Sequence, residues 1–182
     1  DPEISKAYYA ELSGEPDVYV ITSSEAFDLY VNVLVPDIAG QKQDVSAVIL
    51  QKDLSAGEAG GKELTVLDGP NFTWTKFYEP YGADTYWMGP EYRARAEAGT
   101  YEIRVWSSGN DSKYSLAIGE IEAFDQKEGM NALTIIPQLK KDFWGESPIS
   151  FISSPFGWGL IVIMYILAFV IGLVVKYLSK KL

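Results

Sequence analysis

The chain has 182 residues, no cysteine and no histidine, and a formal net charge of −10. Disulfides, thiolate nucleophiles, Cys/His zinc sites and histidine proton transfer are therefore excluded. Three of the 15 basic residues (Lys176, Lys180, Lys181) sit at the C-terminal end, so the rest of the chain sets 12 cations against 25 acids. A surface that acidic repels phosphate backbones, which argues against nucleic acid as a partner.

The chain opens Asp1-Pro2-Glu3 without an initiator Met. That is the start expected after removal of a secretory signal peptide, although an artificial boundary gives the same start. Strand grammar begins at once. Apolar and polar residues alternate with period two over Phe27–Val35, where Phe27, Leu29, Val31, Val33 and Val35 share one face, and strands are also expected over Tyr8–Leu12 and Asp17–Thr22. Further strands are predicted over Ser46–Gln51, Glu63–Leu67, Thr73–Glu79 and Tyr86–Ala96. Turn formers separate them at 13–16, 39–40, 56–61 and 68–70.

The most regular stretch is "AGTYEIRVWSSGNDSKYSLAIG", residues 98–119. It reads as a β-hairpin, with Tyr101, Ile103 and Val105 on one arm matched by Tyr114, Leu116 and Ile118 on the other. Eight or nine short strands in about 120 residues predict an all-β, jelly-roll-like sandwich of two antiparallel sheets.

Tyr19 in "DVYVI", then "FDLYVNVLVP", then "AGTYEIRVWSSGNDSKYSLAIG", in that order, resemble the bacterial pre-peptidase C-terminal domain and its jelly-roll relatives. The resemblance covers roughly residues 17 to 119. It implies a β-sandwich that acts as a binding, targeting or folding module. The acidic doublet that precedes the "LYL" run in that family is reduced here to Asp28, which weakens a calcium site carried over by analogy.

Between Asn71 and Trp87 the chain is dense in aromatics. Trp74, Tyr78, Tyr81, Tyr86 and Trp87 are the candidate contacts for a partner or a sugar ring, with Tyr81 on the expected loop tip. The acids Asp68, Glu79, Asp84 and Glu91 show no Asp-x-Asp-x-Asp spacing, so no metal or cofactor is expected. A Glu79/Glu91 acid–base pair has no motif to support it, and no enzyme is expected. Asn71 and Asn110 head N-glycosylation sequons, usable in a host with the machinery.

Beyond residue 125 the alternation stops. Leu133, Ile136, Leu139 and Phe143 recur at helical spacing, with Pro137 expected to break or kink the helix. Three readings of this amphipathic segment stay open: on the membrane surface with Trp144 as an anchor, against a partner subunit, or against the sandwich. From Phe156 to Val175 no residue is charged. Twenty helical residues span about 30 Å, the thickness of a bilayer core. Trp158 and Tyr177 sit near its two ends, and Lys176, Lys180 and Lys181 place the C-terminus in the cytoplasm by the positive-inside rule. Ala168 and Gly172 have the spacing of a helix-contact motif.

The expected organisation is an extracytoplasmic sandwich (1–125), a juxtamembrane stalk (126–155), a transmembrane helix (156–177) and a short cytoplasmic tail (178–182). The expected function is a non-catalytic, single-pass accessory or scaffold subunit of a membrane complex in the cell membrane. Its partners would be the bilayer and other subunits. The alternative is a surface-displayed module that binds carbohydrate or cell-envelope polymer.

Overall fold

A computed structural model describes residues 1–52, 61–123 and 126–180. The turn expected over 56–61 (Gly61 excepted), the boundary at 124–125 and Lys181 lie outside them. The chain forms two units: Asp1–Phe77 with Thr85–Phe124, and Tyr78–Asp84 with Asp125–Leu182.

Among the described residues there are nine strands: β1 (Lys6–Glu11), β2 (Asp17–Ser23), β3 (Phe27–Pro36), β4 (Ser46–Lys52), β5 (Gly61–Leu67), β6 (Thr75–Glu79), β7 (Asp84–Ala96), β8 (Gly99–Trp106) and β9 (Lys113–Ile118). A five-stranded sheet runs β1-β9-β3-β7-β6 and a four-stranded one β2-β8-β4-β5. This is the jelly-roll order with β6 as an added edge strand.

The predicted alternation places the core. Phe27, Leu29, Val31, Val33 and Val35 of β3 are buried together with Tyr101, Ile103 and Val105 of β8 and Tyr114, Leu116 and Ile118 of β9. The hairpin reading of 98–119 is corrected. β8 pairs with β2 and β4, whereas β9 pairs with β1 and β3 in the other sheet. The turn-rich linker 107–112 therefore crosses between the sheets, a gap of about 10 Å. Both arms still point into one core, so their periodicity is the same whichever sheet each joins.

Two polar devices fix this arrangement. Tyr114 Oη donates to Asp17 Oδ2 at 2.6 Å and lies 2.7 Å from Tyr19 Oη, which ties β9 of one sheet to β2 of the other. Burial, with these bonds, pushes the Tyr114 phenol well above its ordinary range. On β7, Gly89 and Pro90 together oppose Val33, a bulge that accommodates proline. The buried Asn32 amide donates to both of their carbonyls, at 3.1 and 3.2 Å.

The second unit contains α1 (Gln126–Asp142), a 3-10 helix (Pro148–Ser153) and α2 (Pro155–Ser179). α1 continues through Pro137 rather than breaking there. The turn after it closes at Gly145, whose φ of +69° is the left-handed cap conformation that glycine adopts freely, with Glu146 N bonding back to Lys140 O at 2.7 Å. Ser154 caps α2, its Oγ accepting from Gly157 N at 3.2 Å. Among the described residues, Phe143, Trp144 and Phe151 are the buried apolar side chains of this unit, the first two meeting edge to face at 5.5 Å.

Candidate functional site

The aromatic stretch does not assemble into one platform. Trp74 is buried, its indole N–H donating to Gly69 O at 2.8 Å. Tyr86 is buried as well, with its hydroxyl 3.1 Å from Tyr9 Oη. Trp87 packs half-buried against the core. Its indole N–H reaches Asp37 Oδ1 at 2.9 Å, and Lys76 Nζ stands 4.9 Å over its ring. Lys76 also pairs with Asp37 at 2.7 Å, and together with the Trp87 bond it holds that carboxyl below its usual range. Tyr78 and Tyr81 are exposed. Of the five candidates, two are thus inside the protein, and their burial removes them from a stacking surface.

The acids are engaged separately. Glu79 accepts from Tyr81 N and Gly82 N, both at 2.6 Å, and so shapes the β6–β7 loop. Glu91 is held by Tyr30 and Arg93. Asp68 accepts from Asn71 Nδ2 at 2.8 Å. Among the described residues no three acids gather as a cation site requires.

Of the two sequon asparagines, Asn71 is exposed. Asn110 is half-buried at φ +46°. Its Oδ1 accepts from Ser107 N at 3.0 Å and its Nδ2 donates to Gly14 O at 3.2 Å. Nδ2 is hydrogen-bonded in both residues, so it is exposure that makes Asn71 the more accessible acceptor.

Sequence reasoning missed the outer face of the four-stranded sheet. β2 is an edge strand, and its outward residues Val18 and Val20 are 54% and 62% exposed. Across the sheet, Val18 opposes Arg104, which opposes Val48, which opposes the exposed Val66. Asp17 is the single charge on β2, whereas β1, β5 and β6 each carry Lys and Glu. Natural edges are normally blunted by charge, bulge or cover. The available signal was that "VYVIT" is apolar on both faces, where a half-solvated strand alternates. Beside this edge a cleft of about 260 Å³ opens between β1 and β2, lined by Tyr8, Tyr19, Val20 and Ile118 together with the charged Asp1 and Lys6.

The same face carries a buried acid. Glu102 bonds Arg104 and lies 3.2 Å from Lys52 Nζ. Burial raises its carboxyl, but the two cations outweigh this and leave it below the ordinary glutamate value. A depressed folded-state pKa contributes stability above the unfolded value of 4.5, which is lost as pH falls through the folded value. Glu102→Gln is therefore expected to flatten the acid limb of a stability-against-pH curve measured by denaturant unfolding.

In the second unit, Lys140 is buried on α1. Its Nζ contacts Asp84 Oδ1 and lies 3.4 Å from Ala83 O and 3.8 Å from Glu146 Oε2. Trp144, expected as a membrane anchor, is buried in this unit beside Phe143. An indole covered by protein has no face left for the lipid interface, so that assignment is corrected.

α2 is long and apolar enough to cross a membrane, and its most apolar stretch is not buried by the protein. Trp158, Tyr177 and the Ala168/Gly172 pair are all exposed. Lys176 lies in the last turn and Lys180 is the C-cap.

The sequence matches no protein-family model, and no curated protein matches it. Several solved structures are similar to it. The Yersinia pseudotuberculosis-derived mitogen shares 12% identity over 68% of this chain and 92% of its own, with a TM-score of 0.42. The pre-peptidase C-terminal domain of collagenase from Bacillus anthracis shares 13% over 64% and 88%, with a TM-score of 0.36. Eiger TNF from S. frugiperda shares 12% over 66% and 88%, with a TM-score of 0.32.

Proposed function

We propose that the protein is a non-catalytic, single-pass accessory subunit of a membrane complex. α2 spans the bilayer and the sandwich lies outside the cytoplasm. Lys176, Lys180 and Lys181 mark the cytoplasmic end, as the positive-inside rule requires. The β-sandwich contributes an edge on which a partner subunit adds a strand.

The observation that carries this reading is β2. A seven-residue edge strand with outward Val18 and Val20 and one charge is a template for strand addition. Main-chain hydrogen bonds would supply affinity, and the valines and the adjoining cleft would supply specificity. The exposed lipid-facing helix adds a second contact surface, with Ala168 and Gly172 permitting close approach of another helix. Sugar stacking is the weaker reading, because Trp74 and Tyr86 are buried and only Tyr78 and Tyr81 of the set stand exposed.

The test is native mass and identification of co-purifying chains from membranes in mild detergent. Stoichiometric partners are expected with the native protein and are expected to be lost in Val18→Lys/Val20→Lys. Both valines are solvent-exposed, so the melting temperature of the sandwich is expected to hold. A lone monomer from native membranes would overturn the reading.

A further inference from the structure

We propose that the 3-10 helix and the tip of the β6–β7 loop form a collar beside the first turn of α2, seated in the headgroup–acyl boundary of the bilayer. The proposal rests on the reading that α2 spans the membrane and adds where the chain enters it.

The 3-10 helix presents one apolar face to solvent. With three residues per turn, Ile149 and Ile152 stack one above the other. They are 69% and 38% exposed, while Phe151 points the other way and is buried. No charge occurs between Glu146 and Lys176, so the helix shares one uncharged run with the span.

Its depth follows from packing. The 3-10 helix does not simply precede α2 but lies alongside its first turn. A Cβ at Gly157 would sit 2.4 Å from Ile152 Cα and 2.5 Å from Phe151 O. Ile152 is therefore level with Gly157, next to the exposed Trp158. From the loop tip, the exposed Tyr81 places its ring 6.3 Å from that of Phe156 in the first turn of α2. Ile152, Tyr81 and Trp158 thus gather around the first turn of α2, with Ile149 one 3-10 turn, about 6 Å, along from Ile152. Aliphatic and aromatic side chains at a span's entry are the composition that the lipid interface favours. Neither the 3-10 helix nor residues 80–83 carry a charged side chain, so the collar offers apolar surface rather than positive charge. The occupant that fits is a neutral phospholipid leaflet.

The absence of native cysteine allows a direct test in the full chain, reconstituted in phosphatidylcholine nanodiscs. Nitroxides are placed at Ile149→Cys and Ile152→Cys, with Leu167→Cys as the mid-span reference and Glu25→Cys as the aqueous one. Collisions with oxygen and with a water-soluble nickel chelate report depth. The expected result is loss of nickel access at 149 and 152 relative to 25, with both shallower than 167. If 149 and 152 are as accessible to nickel as 25 while 167 is in lipid, the collar is overturned and the span stands. If 167 is itself aqueous, the spanning reading fails and the collar fails with it.

Discussion

Lys140→Met is expected to destabilise the second unit by about 3–5 kcal/mol, the usual cost of leaving one partner of a buried ion pair alone. The side chains of Lys140 and Asp84 are 3% and 9% exposed, so water cannot replace the lost cation. Glu146, 3.8 Å from the ammonium, is acidic and would offer Asp84 only repulsion. Hydrogen exchange of the full-length protein in detergent should show faster exchange in α1 and in residues 78–84. The second variant, Lys140→Met/Asp84→Asn, removes both charges. It should recover a large part of the loss, because a buried neutral pair is far cheaper than a buried single charge.

The pH dependence of the single variant Lys140→Met has a definite sign. Burial already raises the Asp84 carboxyl above its ordinary value, with the Lys140 hydrogen bond and charge pulling the other way. An acid whose folded-state pKa is raised contributes stability that is full below the unfolded value of 3.8 and is lost as pH rises through the folded value. Without Lys140 the opposing pull is gone. The penalty of Lys140→Met should therefore be smallest in acid and should grow toward neutral pH. A penalty that does not change with pH would mean that the lysine stem, not its charge, holds α1.

These two residues show where sequence reading stops. Period-two alternation located β3, β8 and β9, because a strand half in water must sort its side chains by polarity, and turn formers between apolar runs marked off the other strands. Alternation says nothing about pairing, and so 98–119 read as a hairpin although its arms lie in different sheets. The apolar run of α2 was equally plain, since no face of it is polar. Nothing in the sequence marks Lys140 as buried, because its partner lies 56 residues upstream. Trp144 carried an ambiguity of its own: indoles suit lipid interfaces and protein interiors alike. Among the aromatics, Trp74 is buried just outside β6, where no period applies, and Tyr86 is buried on β7 opposite Pro36. Val18 and Val20 were legible only as part of a strand, because being an edge is a property of the whole sheet.

Gly157→Ala is expected to cost about 1–3 kcal/mol, the range for overpacking a well-filled site. The added methyl would meet Ile152 Cα and Phe151 O, and backbone atoms cannot swing aside as a flexible side chain can. The 3-10 helix must then move off α2, exposing Phe151 and weakening the turn in which Ser154 N bonds Phe151 O at 2.8 Å. Gly159→Ala is the matched control, since a Cβ there has no atom within 4 Å. By helix propensity alone, alanine in place of glycine should favour α2 by about 1 kcal/mol. Amide exchange at Ser154 should therefore rise in Gly157→Ala and hold or fall in Gly159→Ala. Equal behaviour of the two variants would show that the joint is loose, and that the 3-10 helix finds its depth from its own two isoleucines. The expected divergence instead makes the joint rigid, so that the entry point of the span also sets the level at which Ile149 and Ile152 lie.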